Sequence, residues 1–381
     1  MLNHRERQNF IEHLIAKNED LDHLSDHELK QLLTKLLAEY PSATHLNIVE
    51  RRDLTNQLFN TMRGLDLLQP LLNDNSITEI MVNGFDHVFI ERQGKIQKTS
   101  IIFDDKEHLT YVITRFFGKA NRLINEQHPI NGMRLMDGSR IHAILPPSAP
   151  DGPIMSIRRF TGIRPQMDAL IETKTISEEA ADFLINMVEA KKNIFISGGT
   201  GTGKTTFLNA LSAFIDKRER IVTIEDSMEL NLQGIDNLVR LESREAGPDG
   251  LGAISLDELI RSSLRLRPDR ILVGEVRGGE AFEMIQAMST GHPGSMSTGH
   301  GNNSQEMLDR ICLMILMSSA LPWEAIRRLV ASAIDIIIHL IRLPNGQRKV
   351  EEIISIEGYE TGQFVLKPLF RREGEALICC S

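Results

Sequence analysis

A glycine-rich segment near the middle of the chain has the residue types and spacing of a loop that binds phosphate. Residues 198–205 read GGTGTGKT and match the pattern G-x-x-x-x-G-K-[ST] in full. The apolar stretch 194–196 predicts a strand before the loop, and residues 204–215 predict an amphipathic helix after it. Strand, loop and helix in this order argue against the alternative, a glycine-rich turn that matches by chance.

Each residue type in this segment has a chemical reason. Glycines permit a tight loop whose backbone N–H groups converge on phosphate oxygens, and the helix N-terminus adds a favourable dipole. The Lys204 ammonium supplies a point charge to the terminal phosphates, and the Thr205 hydroxyl is placed to bind Mg²⁺. The sequence therefore predicts nucleotide-binding residues at Gly198, Gly199, Thr200, Gly201, Thr202, Gly203, Lys204, Thr205 and Thr206.

Three acidic residues follow the next predicted strand. The apolar residues 221–224 predict a buried strand that ends in Glu225 and Asp226, with Glu229 shortly after them. In α/β proteins the carboxyl ends of parallel strands face the crevice where ligands bind. These acids are therefore candidates for a catalytic or metal-binding role. The alternative, that they only solvate the end of a strand, stays open.

A second strand of this kind is predicted over residues 271–274 and ends in Glu275. In many phosphate-loop enzymes such a strand ends in Asp-Glu, and the aspartate serves Mg²⁺. Here Gly274 occupies the aspartate position, and Glu275 is left as the natural base that orients an attacking water. We expect Mg²⁺ to be bound by Thr205, by waters and by the pair Glu225 and Asp226.

Two histidines, His292 and His300, lie in a glycine-rich stretch, residues 290–300, that we interpret as a loop. Metal binding is not favoured, because no cysteine or third ligand lies at a suitable spacing. The stretch comes directly after the helix that follows Glu275. We therefore expect it to supply a hydrogen-bonding sensor of the γ-phosphate.

The pattern of apolar, charged and turn-forming residues changes along the chain and predicts several segments. Residues 1–60 are charged and helical in pattern, and residues 61–160 mix short strands with one helix, which is typical of an α+β domain. Residues 161–175 contain glycine and proline and are the predicted interdomain linker. Residues 176–381 alternate helices with short apolar strands, which predicts an α/β domain with a parallel sheet.

One helix of the first segment is predicted in detail. Ser25 and Glu28 have the spacing of a capping box at a helix start, and Pro41 stops the helix. The apolar stripe consists of Leu29, Leu32, Leu33, Leu36 and Leu37. Its polar face carries many acids, so packing against another helix is favoured over anchoring in a membrane.

Composition excludes several classes of protein. The net charge of −9 argues against a protein that coats nucleic acid, so no direct nucleic-acid partner is expected. Three cysteines are too few and too badly spaced for a disulfide framework, and no signal peptide is visible. The most apolar stretch, 329–343, is interrupted by Asp335 and His339 and reads as a buried core element. We expect a cytoplasmic protein that reaches the inner face of the membrane through a partner.

The order of these motifs resembles the ATPases of type II and type IV secretion machines. It comprises the phosphate loop, the strand with Glu225 and Asp226, the string RPDRILVGEVRGGEA at 267–281, and the histidine stretch. Two further strings, LNDNSITEIMVNG at 72–84 and MDGSRI at 136–141, look like the CpaF group, the ATPases of tight-adherence (Flp) pilus systems. The likeness runs from about residue 60 to residue 370.

This resemblance implies a RecA-like ATPase domain and a homo-hexameric ring that hydrolyses ATP with Mg²⁺, with nucleotide held between the two domains of a subunit. By position, Glu275 matches the catalytic glutamate of the family. The other matched residues are Glu225, Asp226 and Glu229 (an aspartate box), His300 and His292 (a histidine box), and Arg134 and Arg140, which reach toward the nucleotide phosphates. Pro293 and Gly301 depart from the usual histidine-box pattern.

The function implied is a motor that drives pilus assembly or protein export through an inner-membrane platform protein, with residues 1–60 free to dock a specific partner. The nearest alternative keeps the chemistry and changes the cargo: a type IV secretion or DNA-uptake ATPase. A nucleotide-gated scaffold with little turnover is disfavoured by the presence of both Lys204 and Glu275. A kinase would need an acceptor base and an arginine-rich lid.

Overall fold

A computed structural model of the chain describes residues 4–17, 21, 23–43, 46–92, 94–120, 122–135, 138–159, 166–244, 246 and 251–380. The first part of the predicted linker, residues 161–165, and Met136 and Asp137 of the CpaF-like string lie outside the described residues. The chain divides into two compact units, residues 1–161 and 162–381.

The first unit begins with three helices that share a small apolar core. They are α1 (His4–Lys17), α2 (Asp26–Glu39) and α3 (Ile48–Arg63). The predicted capping box is confirmed, because the Ser25 hydroxyl accepts the Glu28 N–H and the Glu28 carboxylate accepts the Ser25 N–H. Leu29, Leu33 and Leu37 are fully buried in a cluster to which α1 and α3 also contribute. The leucine stripe of α2 therefore packs against helices of its own chain.

The rest of the first unit is an antiparallel sheet covered by one long helix. Its elements are α4 (Gln69–Asn73), β1 (Ile77–Asn83), β2 (Val88–Arg92), β3 (Lys95–Lys98), α5 (Lys106–Lys119), β4 (Ile130–Arg134), β5 (Arg140–Ile144) and β6 (Ile154–Arg158). The strand order is β3-β2-β1-β6-β5-β4. Asp105 caps α5, whose apolar face shares a core with alternate residues of the strands. The opposite face of the sheet is more exposed and carries polar side chains together with the exposed Ile96 and Ile154.

The second unit is built on a nine-stranded sheet. Its strands are β7 (Ile194–Gly198), β8 (Ile221–Glu225), β9 (Leu238–Glu242), β10 (Arg270–Val276), β11 (Met296–Gly299), β12 (Ile336–Arg342), β13 (Arg348–Glu360), β14 (Gln363–Glu373) and β15 (Ala376–Cys379). The order is β15-β14-β13-β12-β7-β11-β10-β8-β9. Strands β12 to β9 in this order are parallel, and β13, β14 and β15 extend the sheet antiparallel at one edge.

Helices cover both faces of this sheet. They are α6 (Met167–Glu172), α7 (Glu178–Glu189), α8 (Lys204–Ser212), α9 (Leu256–Ser263), α10 (Glu280–Ser289), α11 (Ser304–Ser318) and α12 (Trp323–Ala333). Ile271 and Val273 of β10 pack with α9 to α12, whereas Leu272 between them packs with α6 to α8. Full burial of such a side chain contributes roughly 1.5–3 kcal/mol. The predicted α/β fold with parallel strands is thus confirmed. No helix within the described ranges is long and apolar enough to cross a membrane.

The interpretation of residues 290–300 as a loop is wrong for residues 296–299, where β11 lies fully buried between β7 and β10. Small residues fit there because a Cβ at Gly299 would lie 2.8 Å from Met307 and 3.0 Å from Phe195. The Thr298 hydroxyl donates to the Gly274 carbonyl at 2.8 Å, so its polar atom is satisfied inside the sheet. A buried strand with so few apolar residues carries no hydrophobic pattern in sequence.

Candidate functional site

The parallel strands bring four segments of interest to one edge of the second sheet. Gly198 ends β7, Glu225 ends β8, Glu275 lies near the end of β10, and His300 follows β11 directly. Because the strands are parallel and adjacent, these residues share the carboxyl edge, where α/β sheets bind their ligands.

The phosphate loop joins β7 to α8 and is shaped by backbone conformations that favour glycine. Gly201 and Gly203 have φ of 73° and 94°, and a Cβ at Gly198 would lie 2.5 Å from the Leu340 carbonyl oxygen. Lys204 is only 7% exposed, and its Nζ donates to the carbonyls of Gly198 at 3.1 Å and Gly199 at 3.0 Å. The remaining predicted members, Thr200, Thr202, Thr205 and Thr206, lie in this loop and in the first turn of α8.

Lys204 also contacts His300, and this contact fixes the tautomer of the imidazole. The Lys204 Nζ lies 3.3 Å from His300 Nδ1. An ammonium only donates, so Nδ1 accepts and the ring proton is on Nε2. Burial and the charge of Lys204 both lower the pKa of His300. The imidazole is therefore neutral near pH 7, with its N–H on the side of Glu275.

Glu275 is the next group in this chain of contacts. Its Oε2 accepts a hydrogen bond from Arg277 Nη2 at 3.0 Å, and its Oε1 lies 2.7 Å from His300 Nε2 without being aligned for a hydrogen bond. The buried Oε1 accepts no hydrogen bond from the residues that the structure describes. Burial raises the pKa of Glu275, but the hydrogen bond and charge of Arg277, with the charges of His300 and Lys204, outweigh it and lower the pKa. An ionised carboxylate with one open oxygen suits a base that orients water.

Arg277 was missed from the sequence, and it bridges two acids of this edge. Its Nη1 donates to Asp226 at 3.1 Å while its Nη2 donates to Glu275. Glu229 also lies within range of its charge. The sequence contained a signal for Arg277, because residues two apart at the end of a strand lie on the same side of the strand. Arg277 stands two residues after Glu275 and thus faces the same crevice.

Glu225, which the sequence predicted as a metal ligand and a catalytic acid, has its carboxylate engaged with the backbone of its own chain. Its carboxylate is 2% exposed and accepts the backbone N–H groups of Glu229 and Leu230, the latter at 2.8 Å. Both oxygens are used in holding the loop after β8. Glu225 therefore positions Asp226 and Glu229 at the sheet edge.

His292 is not brought into this group. The Ser295 hydroxyl donates to the His292 carbonyl at 2.7 Å, and the Ser295 N–H donates to Asn193, the residue before β7. His292 therefore precedes β11 at the amino edge of the sheet, whereas His300 follows β11 at the carboxyl edge. The two histidines of the predicted box are separated by the length of a strand within one subunit, and only His300 contacts Lys204 and Glu275.

Arg134 and Arg140 lie in the first unit, directly opposite each other on β4 and β5. The sheet adds a third arginine that the sequence analysis missed, because Arg158 of β6 is opposite Arg140. Like charges directly opposite on neighbouring strands destabilise a sheet. The register of the row depends on pairings between distant residues, so spacing alone did not reveal it. A row of three guanidinium groups fits an anion with several charged oxygens.

The chain is similar to known secretion proteins in sequence. Residues 61–367 match the family described as type II/IV secretion system protein. The chain belongs to this family. A putative conjugal transfer protein of Mycobacterium tuberculosis is 33% identical over 298 residues, 77% of this chain and 84% of the relative. The type IV secretion system protein VirB11 of Brucella suis is 33% identical over 303 residues, 72% of this chain and 84% of the relative.

A solved structure supports the fold of the secretion ATPase. The pilus retraction motor PilT with bound ADP has a TM-score of 0.52 and 18% identity, covering 81% of this chain and 83% of that chain. The prediction of an ATP-binding ATPase of the type II/IV secretion superfamily is confirmed. The finer assignment to tight-adherence pili stays a prediction, since the two relatives above are named for conjugal transfer and type IV secretion.

The residues at the carboxyl edge fit a magnesium ion that arrives with the nucleotide. The described residues contain no cluster of three or more His, Cys, Asp or Glu that could hold a metal alone. Mg²⁺ commonly keeps several waters and binds through substrate phosphates with few protein ligands. The half-buried Thr205 hydroxyl in the first turn of α8 is the donor that suits this arrangement.

Replacing Arg277 by glutamine is expected to lower kcat of the secretion ATPase about tenfold or more and to change KM for ATP less than threefold. Glutamine removes the charge-assisted hydrogen bond that orients Glu275 and the one that holds Asp226, each of which is worth roughly 1.5–3 kcal/mol. It leaves the phosphate loop intact. Steady-state kinetics checks this split, and Arg277→Lys should recover part of kcat. Equal losses in the glutamine and lysine variants, or a change confined to KM, would contradict an orienting role.

Proposed function

We propose that this chain hydrolyses ATP with Glu275 as the base and Lys204 and His300 as the groups that contact the terminal phosphate. The observation that carries the proposal is the contact chain from Lys204 through His300 to Glu275. It places a cation, a neutral N–H donor and an ionised carboxylate with an open oxygen side by side at the end of three adjacent strands. Glu225, Asp226 and Glu229 support this edge.

In the proposed step, the open Oε1 of Glu275 accepts a hydrogen bond from a water that is aligned with the γ-phosphorus. The water oxygen forms the new P–O bond, the bond from the γ-phosphorus to the β,γ-bridging oxygen breaks, and the water proton passes to Glu275. Lys204 moves its hydrogen bonds from the loop carbonyls to phosphate oxygens. Thr205 would hold Mg²⁺, which would supply charge neutralisation at the β- and γ-phosphates.

The three arginines of the first unit are proposed to bind nucleotide phosphates. Arg134 and Arg140 were assigned this role by resemblance, and Arg158 joins them because of its register. Planar guanidinium groups suit phosphate oxygens.

At the level of the cell, we propose a homo-hexameric motor that docks on an inner-membrane platform protein and powers the assembly of a tight-adherence pilus. Two observations support it: the CpaF-like strings at 72–84 and 136–141, and membership of the secretion family. Helices α1 and α2 and most of α3 precede the family match, which begins at residue 61, and this segment is a candidate for docking a partner. Membrane association would be peripheral and on the cytoplasmic side.

A second candidate cargo is favoured by the relatives themselves, which are named for conjugal transfer and type IV secretion. The two candidates share all of the chemistry above. Deletion of the chain in its host separates them. Loss of surface pili with intact conjugal transfer supports the pilus motor, whereas loss of transfer with intact pili supports the type IV system.

The first test of the proposed function is steady-state ATPase activity of the purified chain, with sedimentation on the same samples. We expect turnover that depends on Mg²⁺ and a six-subunit species when nucleotide is present. A chain that binds ATP, stays monomeric and shows no turnover at high concentration would support the nucleotide-gated scaffold. The test can be extended by adding the platform protein. If this addition restores turnover, the result supports the motor and not the scaffold.

A further inference from the structure

A cleft of about 720 Å³ lies between the phosphate loop and helix α11, entirely within the second unit. One wall is the start of the loop and the other is the exposed face of α11, with His300 at the base. The lining residues are Gly199, Thr200, His300, Gly301, Asn302, Glu306, Asp309, Arg310 and Leu313. The cleft includes His300, one of the two groups proposed to contact the terminal phosphate.

Two acids line this cleft, and both are already engaged. Glu306 accepts hydrogen bonds from the side-chain amides of Asn302 at 2.9 Å and Asn303 at 3.0 Å. Asp309 pairs with Arg327, whose guanidinium is enclosed by the rings of Trp323, Tyr359 and Phe364. Asp309 is therefore paired with a cation, whereas Glu306 keeps its charge and is held in place by two amides.

Arg310 lies between these acids on α11 and differs from both. It forms no hydrogen bond and no ion pair with any of the residues described by the structure, although it lines the cleft opposite Thr200. It is close enough to His300 for its charge to lower the pKa of the imidazole, as the charge of Lys204 also does. The charges of Lys204, Arg277 and Arg310 thus act on one neutral histidine against the single carboxylate of Glu275, and an anion in the cleft would offset the excess of positive charge.

We propose that Arg310 binds the γ-phosphate of the nucleotide in this cleft and so distinguishes ATP from ADP. The inference rests on the proposed function and adds a binding residue to the same site. The γ-phosphate is the terminal group of ATP and carries oxygens beyond the reach of the loop amides. A guanidinium presents several donors in one plane and suits such oxygens better than an ammonium does. Loss of the γ-phosphate on hydrolysis would release Arg310.

The test compares two nucleotides on one variant. Calorimetric titration of the full chain with a non-hydrolysable ATP analogue and with ADP gives the two dissociation constants. We expect Arg310→Gln to weaken binding of the analogue about tenfold, because a hydrogen bond to a charged group is lost. Binding of ADP should change less than twofold, and Arg310→Lys should be intermediate. Arg328→Gln is the matched control, since Arg328 is an exposed arginine of α12 outside the cleft.

The outcomes are distinct. Equal weakening of both nucleotides, or no weakening of either, overturns the assignment of Arg310. Loss of the six-subunit species in sedimentation together with a uniform loss of affinity would instead place Arg310 at a contact between copies of the chain, and this also overturns it. Failure of the wild-type chain to bind either nucleotide would sink the proposed function itself. Binding by the wild type with an unchanged Arg310→Gln variant sinks only this inference.

Discussion

Replacing Glu275 by glutamine is expected to lower the rate of ATP hydrolysis by roughly 10²- to 10⁴-fold, the usual contribution of a general base. The amide has nearly the shape of the carboxylate, so its oxygen still accepts from Arg277 and the strand end keeps its packing. It cannot accept the water proton at neutral pH. Because the phosphate loop and Lys204 are untouched, the dissociation constant for ATP should change less than threefold.

Single-turnover hydrolysis measures the chemical step, and titration with a non-hydrolysable analogue measures binding. The matched control is Glu283→Gln on α10, because Glu283 pairs with Arg261 away from the phosphate loop. This control should keep nearly the wild-type rate. A Glu275→Gln variant that retains more than a tenth of the wild-type rate would show that another group activates the water. Asp226 would then be the next candidate, since Arg277 bridges the two acids.

The parts of the site that lie close together in sequence could be predicted from it. Loop 198–205 is read from local spacing, and the strands before Glu225 and Glu275 are read from short apolar runs bounded by acids. The structure confirms these two strands as β8 and β10. Parallel order then follows from the alternation of helices and strands, and it brings the strand ends to one edge.

The parts that depend on pairing across the sheet could not be predicted in the same way. At Gly299 of β11, Phe195 and Met307 leave no room for a larger side chain. Both neighbours are distant in sequence, so the local sequence does not predict this restriction. The register of Arg134, Arg140 and Arg158 is set by hydrogen bonding between three strands. The opposite positions of His292 and His300 follow from β11 itself. Because β11 was interpreted as a loop, His292 was also placed at the wrong edge of the sheet.

Glu225 shows a further limit of the sequence reading. An acid at a strand end looks the same whether it binds a metal or caps a turn. Its role depends on whether backbone N–H groups fold back toward it, as those of Glu229 and Leu230 do here. Buried carboxylates need such donors because water no longer solvates their charge. The role of Glu225 depends on the conformation of the residues after the strand, and the residue types in that stretch do not predict this conformation.

The same carboxylate explains why glycine occupies position 274 and leads to the second large expected effect. A Cβ at Gly274 would lie 3.0 Å from Glu225 Cγ and 3.6 Å from its Cδ, because the Glu225 side chain crosses this part of β10. Gly274→Asp, which restores the acid common at this position, would press a second carboxylate against a buried one. We expect it to lower the free energy of unfolding of the second unit by roughly 3–5 kcal/mol, the cost of an uncompensated buried charge.

Fluorescence of the single tryptophan, Trp323, checks this in urea, because Trp323 packs against the core of the second unit and reports its unfolding alone. Gly274→Ala is the matched control: it adds the Cβ without the charge and should cost only about 1 kcal/mol. Adding Glu225→Gln to Gly274→Asp should recover part of the loss by removing the repulsion. An aspartate variant as stable as the alanine variant would mean that Glu225 moves aside freely, and the absence of the usual aspartate would then have no steric cause.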